Sequence, residues 1–137
     1  MNFDFDTVVP GGGTTGLVAA VSAARMGARV LLVEQYGFLG GNATVIPGWL
    51  GFHSVSGDRV VGGVPFELVG RLQATGAATC FERDPICGSV VGVDPNWWKV
   101  FAAEWVAEEG VAVRLHTRVA GVSRGDHGLG VALSCRG

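Results

Sequence analysis

The run Val8-Val9-Pro10-Gly11-Gly12-Gly13-Thr14-Thr15-Gly16 constrains this chain more than any other stretch. Its glycines at 11, 13 and 16 follow the spacing G-x-G-x-x-G and join a short apolar run to an alanine-rich one. Chemistry explains the spacing: Gly11 permits a tight turn out of a strand, Gly13 lets the backbone approach a pyrophosphate, and Gly16 lets a helix lie close to the sheet. The first N–H groups of that helix have no partner within it and the dipole there is positive, so an anion can be held without a lysine.

In a chain with 23 glycines the pattern gains weight only from its flanks. Thr7-Val8-Val9 reads as a buried strand. Leu17, Ala20, Val21 and Ala24 then fall at i, i+3, i+4, i+7, the stripe of an amphipathic helix, and Gly27 ends it. A second strand follows at Arg29-Val30-Leu31-Leu32-Val33 and delivers Glu34, near the roughly 20-residue offset at which an acidic side chain accepts hydrogen bonds from an adenosine ribose. The plainer alternative is a glycine-rich turn before an ordinary helix, with Glu34 a solvated strand end. The strand–turn–helix–strand order favours the dinucleotide reading.

Composition narrows the rest. A length of 137 residues suits one domain, here 1–137, and 48% hydrophobic against 16% charged residues implies a well-buried interior or apolar surface meant to meet something else. A net charge of −2 supplies no field for nucleic acid or an anionic membrane. Cys80, Cys87 and Cys135 are odd in number and lack CxxC spacing, so neither a disulfide framework nor a metal site is expected. A reducing cytoplasm fits. The N-terminus enters its first strand almost at once, which leaves no place for a leader, and no apolar run approaches the roughly 20 residues that span a bilayer.

Further on, the loop Gln35-Tyr36-Gly37-Phe38-Leu39-Gly40-Gly41-Asn42-Ala43-Thr44 is long for a simple crossover. Two readings stay open: Gly40-Gly41 brings backbone N–H groups against phosphate or ribityl oxygens, with Asn42 and Thr44 adding side-chain bonds, or the segment is a tight surface turn. Residues 45–62 show no period; within them a lone His53 between aromatics reads as packed or solvated rather than catalytic. A helix is expected from Val64, with Pro65, Leu68, Val69 and Leu72 as its apolar stripe and Gly76 beyond its end. Residues 77–93 carry little signal, and Cys87, lacking a neighbouring base, reads as a quiet thiol. Asp94-Pro95 forms a helix start, with Trp98, Phe101, Ala102 and Trp105 on one face, Trp97 off it, and Gly110 as the stop. Val111, Val113 and Leu115 then alternate as a third strand, with His116 a partly buried member of it. Arg118–Val122, a turn near Gly125-Asp126, and Leu129–Leu133 follow.

In this order the segments resemble the FAD-dependent oxidoreductase family of the glutathione-reductase-like superfamily: the glycine run, Val30-Leu31-Leu32-Val33-Glu34, and Gly37-Phe38-Leu39-Gly40-Gly41-Asn42-Ala43-Thr44. The resemblance continues through Gly62-Gly63-Val64-Pro65, Asp94-Pro95 to Lys99, Glu108-Glu109-Gly110-Val111 and Leu115-His116-Thr117-x-Val119. It implies an α/β, Rossmann-like FAD-binding domain with a parallel sheet and the start of a β-meander, truncated before the substrate domain. FAD is the implied cofactor and a small molecule the implied substrate. The resemblance places Gly11, Gly13, Thr14, Thr15 and Gly16 at the pyrophosphate, Glu34 at the ribose, Gly41 and Asn42 at the middle of the cofactor, and the Val119 backbone at the adenine. Relatives that attach FAD covalently carry a histidine near the position of Ala43, so noncovalent FAD is implied here. No catalytic residue is named by it.

Three departures from the family pattern stand out. Pro10 replaces the aliphatic residue that usually ends the first strand; proline is poorly tolerated in a central strand, and here it is expected to bend the entry to the glycine loop and weaken binding. Thr14-Thr15 place hydroxyls where they either cap the helix or crowd the pyrophosphate. The family continues well beyond a length of 137 residues, so a complete active site is not expected within this chain. The alternative to an oxidoreductase portion is a non-catalytic nucleotide-binding module or remnant completed by a complementary chain or a homo-oligomer, with Trp97 as part of the surface to be covered.

Overall fold

The structure, a computed structural model, describes residues 5–126 and 128–135. The chain divides into two compact units, one of residues 1–39 and 105–137, the other of residues 40–104.

In the first unit, β1 (Thr7–Pro10), β2 (Val30–Val33) and β6 (Ala112–Arg114) form a parallel sheet in the order β1-β2-β6. The register sets Val8 beside Leu31 and Leu32 beside Val113. All of β2 is buried, as its unbroken Val-Leu-Leu-Val run requires of a strand covered on both faces. Helix α1 (Thr14–Arg25) connects β1 to β2 and buries Leu17, Ala20 and Val21 of the expected stripe, with Ala24 half-buried. The salt bridge between Arg25 and Glu109 ties its last turn to the chain just before β6.

Thr7, Val8 and Val9 are half-buried rather than buried, because β1 is an edge strand among the described residues. The register also shows which side of β1 Pro10 faces. Thr7 and Gly11 donate their N–H groups to Arg29 O and Val33 O, so the odd-numbered amides face β2. The even-numbered position of Pro10 faces the opposite side, which carries no paired strand among the described residues.

Beyond β6 the chain forms a two-stranded antiparallel hairpin, β7 (Thr117–Gly125) and β8 (Gly128–Cys135), longer than the expected segments and irregular in register between Val119 and Gly121. Gly125 pairs with Gly128, and the turn between them includes residue 127, outside the described residues. His116 is not within a strand: it lies between β6 and β7 with φ 51° and is exposed.

The second unit contains α2 (Gly63–Ala74), residues 95–104 of helix α3 (Pro95–Glu108), and a small antiparallel sheet that the sequence does not announce. Its strands β3 (Gly48–Leu50), β4 (Glu82–Asp84) and β5 (Gly88–Gly92) are arranged β3-β5-β4. Phe52, Val69 and Val91 form one buried cluster there, packed by Trp49, Val61, Phe66, Ala78 and Phe81. His53 stands edge-on to Phe66 and Phe81, with ring centroids 6.2 and 4.8 Å away, which gives it the packing role. The Asp84 carboxylate accepts the N–H groups of Ile86 and Cys87 in the β4–β5 turn, and these bonds hold its pKa below the ordinary value. Cys80, Cys87 and Cys135 are all exposed thiols.

All three helices end in the same way. The amides of Gly27 and Ala28 return to Ala24 and Ala23, those of Gly76 and Ala77 to Gln73 and Leu72, and those of Gly110 and Val111 to Ala107 and Val106. This double closure needs a left-handed residue after the helix, and glycine supplies it with φ between 71° and 88° at the three sites.

At the entry to β1, Asp6 accepts bonds from Arg29 N, Nε and Nη2 at 2.8, 3.1 and 3.0 Å. The Arg29 hydrogen bonds lower the Asp6 pKa from 3.8 to about 2. A depressed carboxylate contributes stability that is present above the unfolded pKa and lost as pH falls through the folded one. An NMR titration should therefore find the Asp6 carboxyl midpoint near 2, returning towards 3.8 in Arg29→Gln. A normal midpoint in the parent chain would refute the pairing.

Candidate functional site

The site begins where β1 ends. Gly11 turns the chain with φ 103° and is exposed. Gly13 is the N-cap of α1, so that no side chain caps this end, and the first turn holds no acidic residue. Thr14 is half-buried at the first helical position and Thr15 exposed at the second. Neither hydroxyl serves as the N-cap, and no side chain caps this positive end of the helix dipole. Gly16 has no room for a side chain, since a Cβ there would fall on the Gly11 carbonyl oxygen and lie 3.5 Å from Val9 Cγ1. That is the close helix–strand approach expected of the third motif glycine.

Glu34 faces the same loop and is only 6% exposed. Its Oε2 accepts the Gly12 N–H at 2.7 Å and its Oε1 the Tyr36 N–H at 2.8 Å. A carboxylate has roughly four acceptor positions, so capacity for further donors remains. The backbone of Glu34 is held as well: its N–H donates to Arg114 O at 2.8 Å, and its carbonyl accepts the Thr117 N–H at 2.9 Å.

Sequence reasoning assigned nothing to Gly12, Tyr36 or His116 at this site. Gly12 is buried, and a Cβ on it would come within 2.5 Å of Leu39 Cδ2 and 3.2 Å of Glu34 Oε2. Its only signal in the sequence is that it is the middle one of three consecutive glycines. His116 donates its N–H to Tyr36 O at 3.1 Å, and its ring lies where a Cβ on Gly37 would be, 2.8 Å from Cε1 and Nε2. Val119, the expected adenine contact, is half-buried on β7 opposite Leu133.

Gly41 and Asn42 belong to the second unit. They open a short 3-10 turn, Gly41–Thr44, after a left-handed Gly40. Asn42 is exposed and Gly41 half-buried, whereas Thr44 is buried and donates its hydroxyl to Gly41 O at 2.8 Å. The Thr44 hydroxyl proton is thus used inside the turn. Among the described residues no cluster of histidine, cysteine or acidic side chains could hold a metal ion, and no helix is long and apolar enough to cross a membrane.

A family model described as FAD dependent oxidoreductase matches residues 6–136. The chain belongs to this family. Over 43 residues it is 56% identical to an uncharacterised protein of Mycobacterium tuberculosis, a match that covers 31% of this chain and 8% of that protein. Among solved structures it is similar to THI4 of Thermovibrio ammonificans, with TM-score 0.59, 18% identity, and coverage of 96% of this chain and 48% of that one. It is also similar to the anhydrotetracycline hydroxylase OxyS of Streptomyces rimosus, with TM-score 0.65, 18% identity, and coverage of 94% and 28%. A third is a 3-ketosteroid dehydrogenase of Rhodococcus jostii, with TM-score 0.64, 15% identity, and coverage of 98% and 42%. At such identities these likenesses establish the shared Rossmann-like fold. The chain spans less than half the length of each of these structures.

Removing the Glu34 carboxylate leaves two backbone donors without their acceptor, one of them buried. Glu34→Ala should lower the unfolding free energy by about 1–3 kcal/mol, read from urea unfolding without added ligand. Glu34→Gln keeps an acceptor and should lose less. An Ala variant as stable as the parent chain would show that this carboxylate does not hold the loop.

Proposed function

We propose that this chain is the FAD-binding portion of a flavin-dependent oxidoreductase and holds FAD noncovalently. The observation that carries the reading is the pairing of an uncapped helix start at Gly13 with the Glu34 carboxylate on the adjoining strand end. In this reading Gly11, Gly13, Thr14, Thr15 and Gly16 line the pyrophosphate, whose charge suits the positive end of the helix dipole. Glu34 uses its remaining acceptor positions for the ribose hydroxyls and, being anionic, disfavours a 2′-phosphate, which argues against NADP. Val119 offers its backbone to the adenine, while Gly41 and Asn42 bind the middle of the cofactor.

Family membership supports the choice of FAD, and the tight Gly16–Gly11 approach fits a dinucleotide loop. When bound, the flavin supplies the hydride or electron transfer, and the protein contributes binding, orientation and exclusion of water. The substrate is a small molecule of unspecified class. Three exposed thiols suit a reducing compartment such as the cytoplasm.

One observation favours a second reading, a nucleotide-binding module completed by another chain or copy: Trp97 is 58% exposed, and Val122 and Leu129 are 62% and 69% exposed. Flavin retention separates the two. After incubation with FAD and removal of excess, the purified chain should keep flavin absorbance bands, and acid precipitation should release the flavin into the supernatant. Glu34→Ala should weaken FAD binding by about 1–3 kcal/mol. A folded chain that retains no flavin would overturn the first reading, and flavin that stays with the precipitate would overturn noncovalent binding.

A further inference from the structure

We propose that Trp98 is a positioning residue for the Gly40–Gly41 loop and sets which way its backbone N–H groups point. The inference rests on the assignment of Gly41 and Asn42 to the middle of FAD. Trp98 is fully buried on α3, and its indole Nε1–H donates to Gly40 O at 3.2 Å. The same ring fills the space beside Gly40: a Cβ there would meet Trp98 Nε1, lie 2.9 Å from Trp98 Cδ1, and lie 2.8 Å from Thr44 Cγ2. Trp98 is itself fixed by an edge-on contact with Trp49 at 5.0 Å between ring centroids, and by stacking on Phe101 at 6.3 Å.

Peptide geometry carries the consequence. In a planar trans peptide the carbonyl and the following N–H point in opposite directions, and the described residues contain no cis bond. Gly40 O is held by Trp98 and Gly41 O by the Thr44 hydroxyl. The N–H groups of Gly41 and Asn42 therefore face away from those buried anchors. Gly40 and Gly41 both have left-handed backbone, with φ 113° and 57°, and the Asn42 carbonyl closes the turn by accepting the amides of Val45 and Ile46. Successive amides displayed from such backbone form a concavity for phosphate or hydroxyl oxygens. Without its two anchors the glycine pair is free to rotate, and binding must then supply the entropy of ordering it.

The test uses the full chain and measures Kd for FAD and for ADP in the parent, Trp98→Phe and Thr44→Val. Phenylalanine keeps an aromatic ring in place without the N–H donor, and valine keeps the Thr44 shape without the hydroxyl. Because ADP lacks the flavin half, the inference predicts an FAD Kd raised about 3- to 10-fold, the worth of a single neutral hydrogen bond, with the ADP Kd within about twofold of the parent's. FAD binding unchanged in both variants would overturn it. So would an equal loss for both ligands, which marks Trp98 as a general packing residue. Failure of the underlying assignment shows elsewhere: a parent chain that binds ADP but gains no affinity from the flavin half removes Gly41 and Asn42 from the site, and this inference with them.

Discussion

The buried carboxylate of Glu34 is the interaction on which the first unit depends. A charge only 6% exposed is costly unless its oxygens are hydrogen-bonded, and here each accepts a backbone N–H, from Gly12 and from Tyr36. The main chain of the same residue bonds to Arg114 and Thr117. One position at the tip of β2 thus joins the glycine loop, the chain leaving β2, the end of β6 and the start of β7. The residue that the motif singles out is therefore also the strut that shapes the glycine loop.

In the second unit a similar economy is visible around Trp98. The indole gives the unit a buried aromatic anchor, packed against Trp49 and Phe101, and its one polar group meets the Gly40 carbonyl. Buried tryptophan favours such a partner because an unpaired N–H is costly. Satisfying that N–H is also what orients the glycine pair. This contact and the Thr44 hydroxyl on Gly41 O together hold the carbonyls of the loop.

The parallel half of the fold was legible because its signals are local. Leu17, Ala20 and Val21 repeat at helical spacing, Val30 to Val33 form an unbroken apolar run, and Gly27, Gly76 and Gly110 sit where helices must stop. The small sheet β3-β5-β4 escaped because strands such as Gly48–Leu50 and Glu82–Asp84 are too short to show alternation, and their pairing joins distant segments. The side of β1 that Pro10 faces is hidden from the sequence for a related reason. Only the register reveals whether its missing N–H would have faced β2 or the opposite side. His116, expected within a strand, takes a left-handed turn against Gly37 instead.

By itself the sequence determined the strand–glycine loop–helix–strand unit, the helix stops, the position of Glu34 and the family pattern, all of which follow from residue type and spacing along a short stretch of chain. Tertiary structure alone decided what those groups touch. Gly12 became a donor to Glu34, Thr44 turned its hydroxyl inward, and Trp98 reached Gly40 from 58 residues away. A hydrogen bond depends on distance and direction in space, and spacing along the chain fixes these only within a single element.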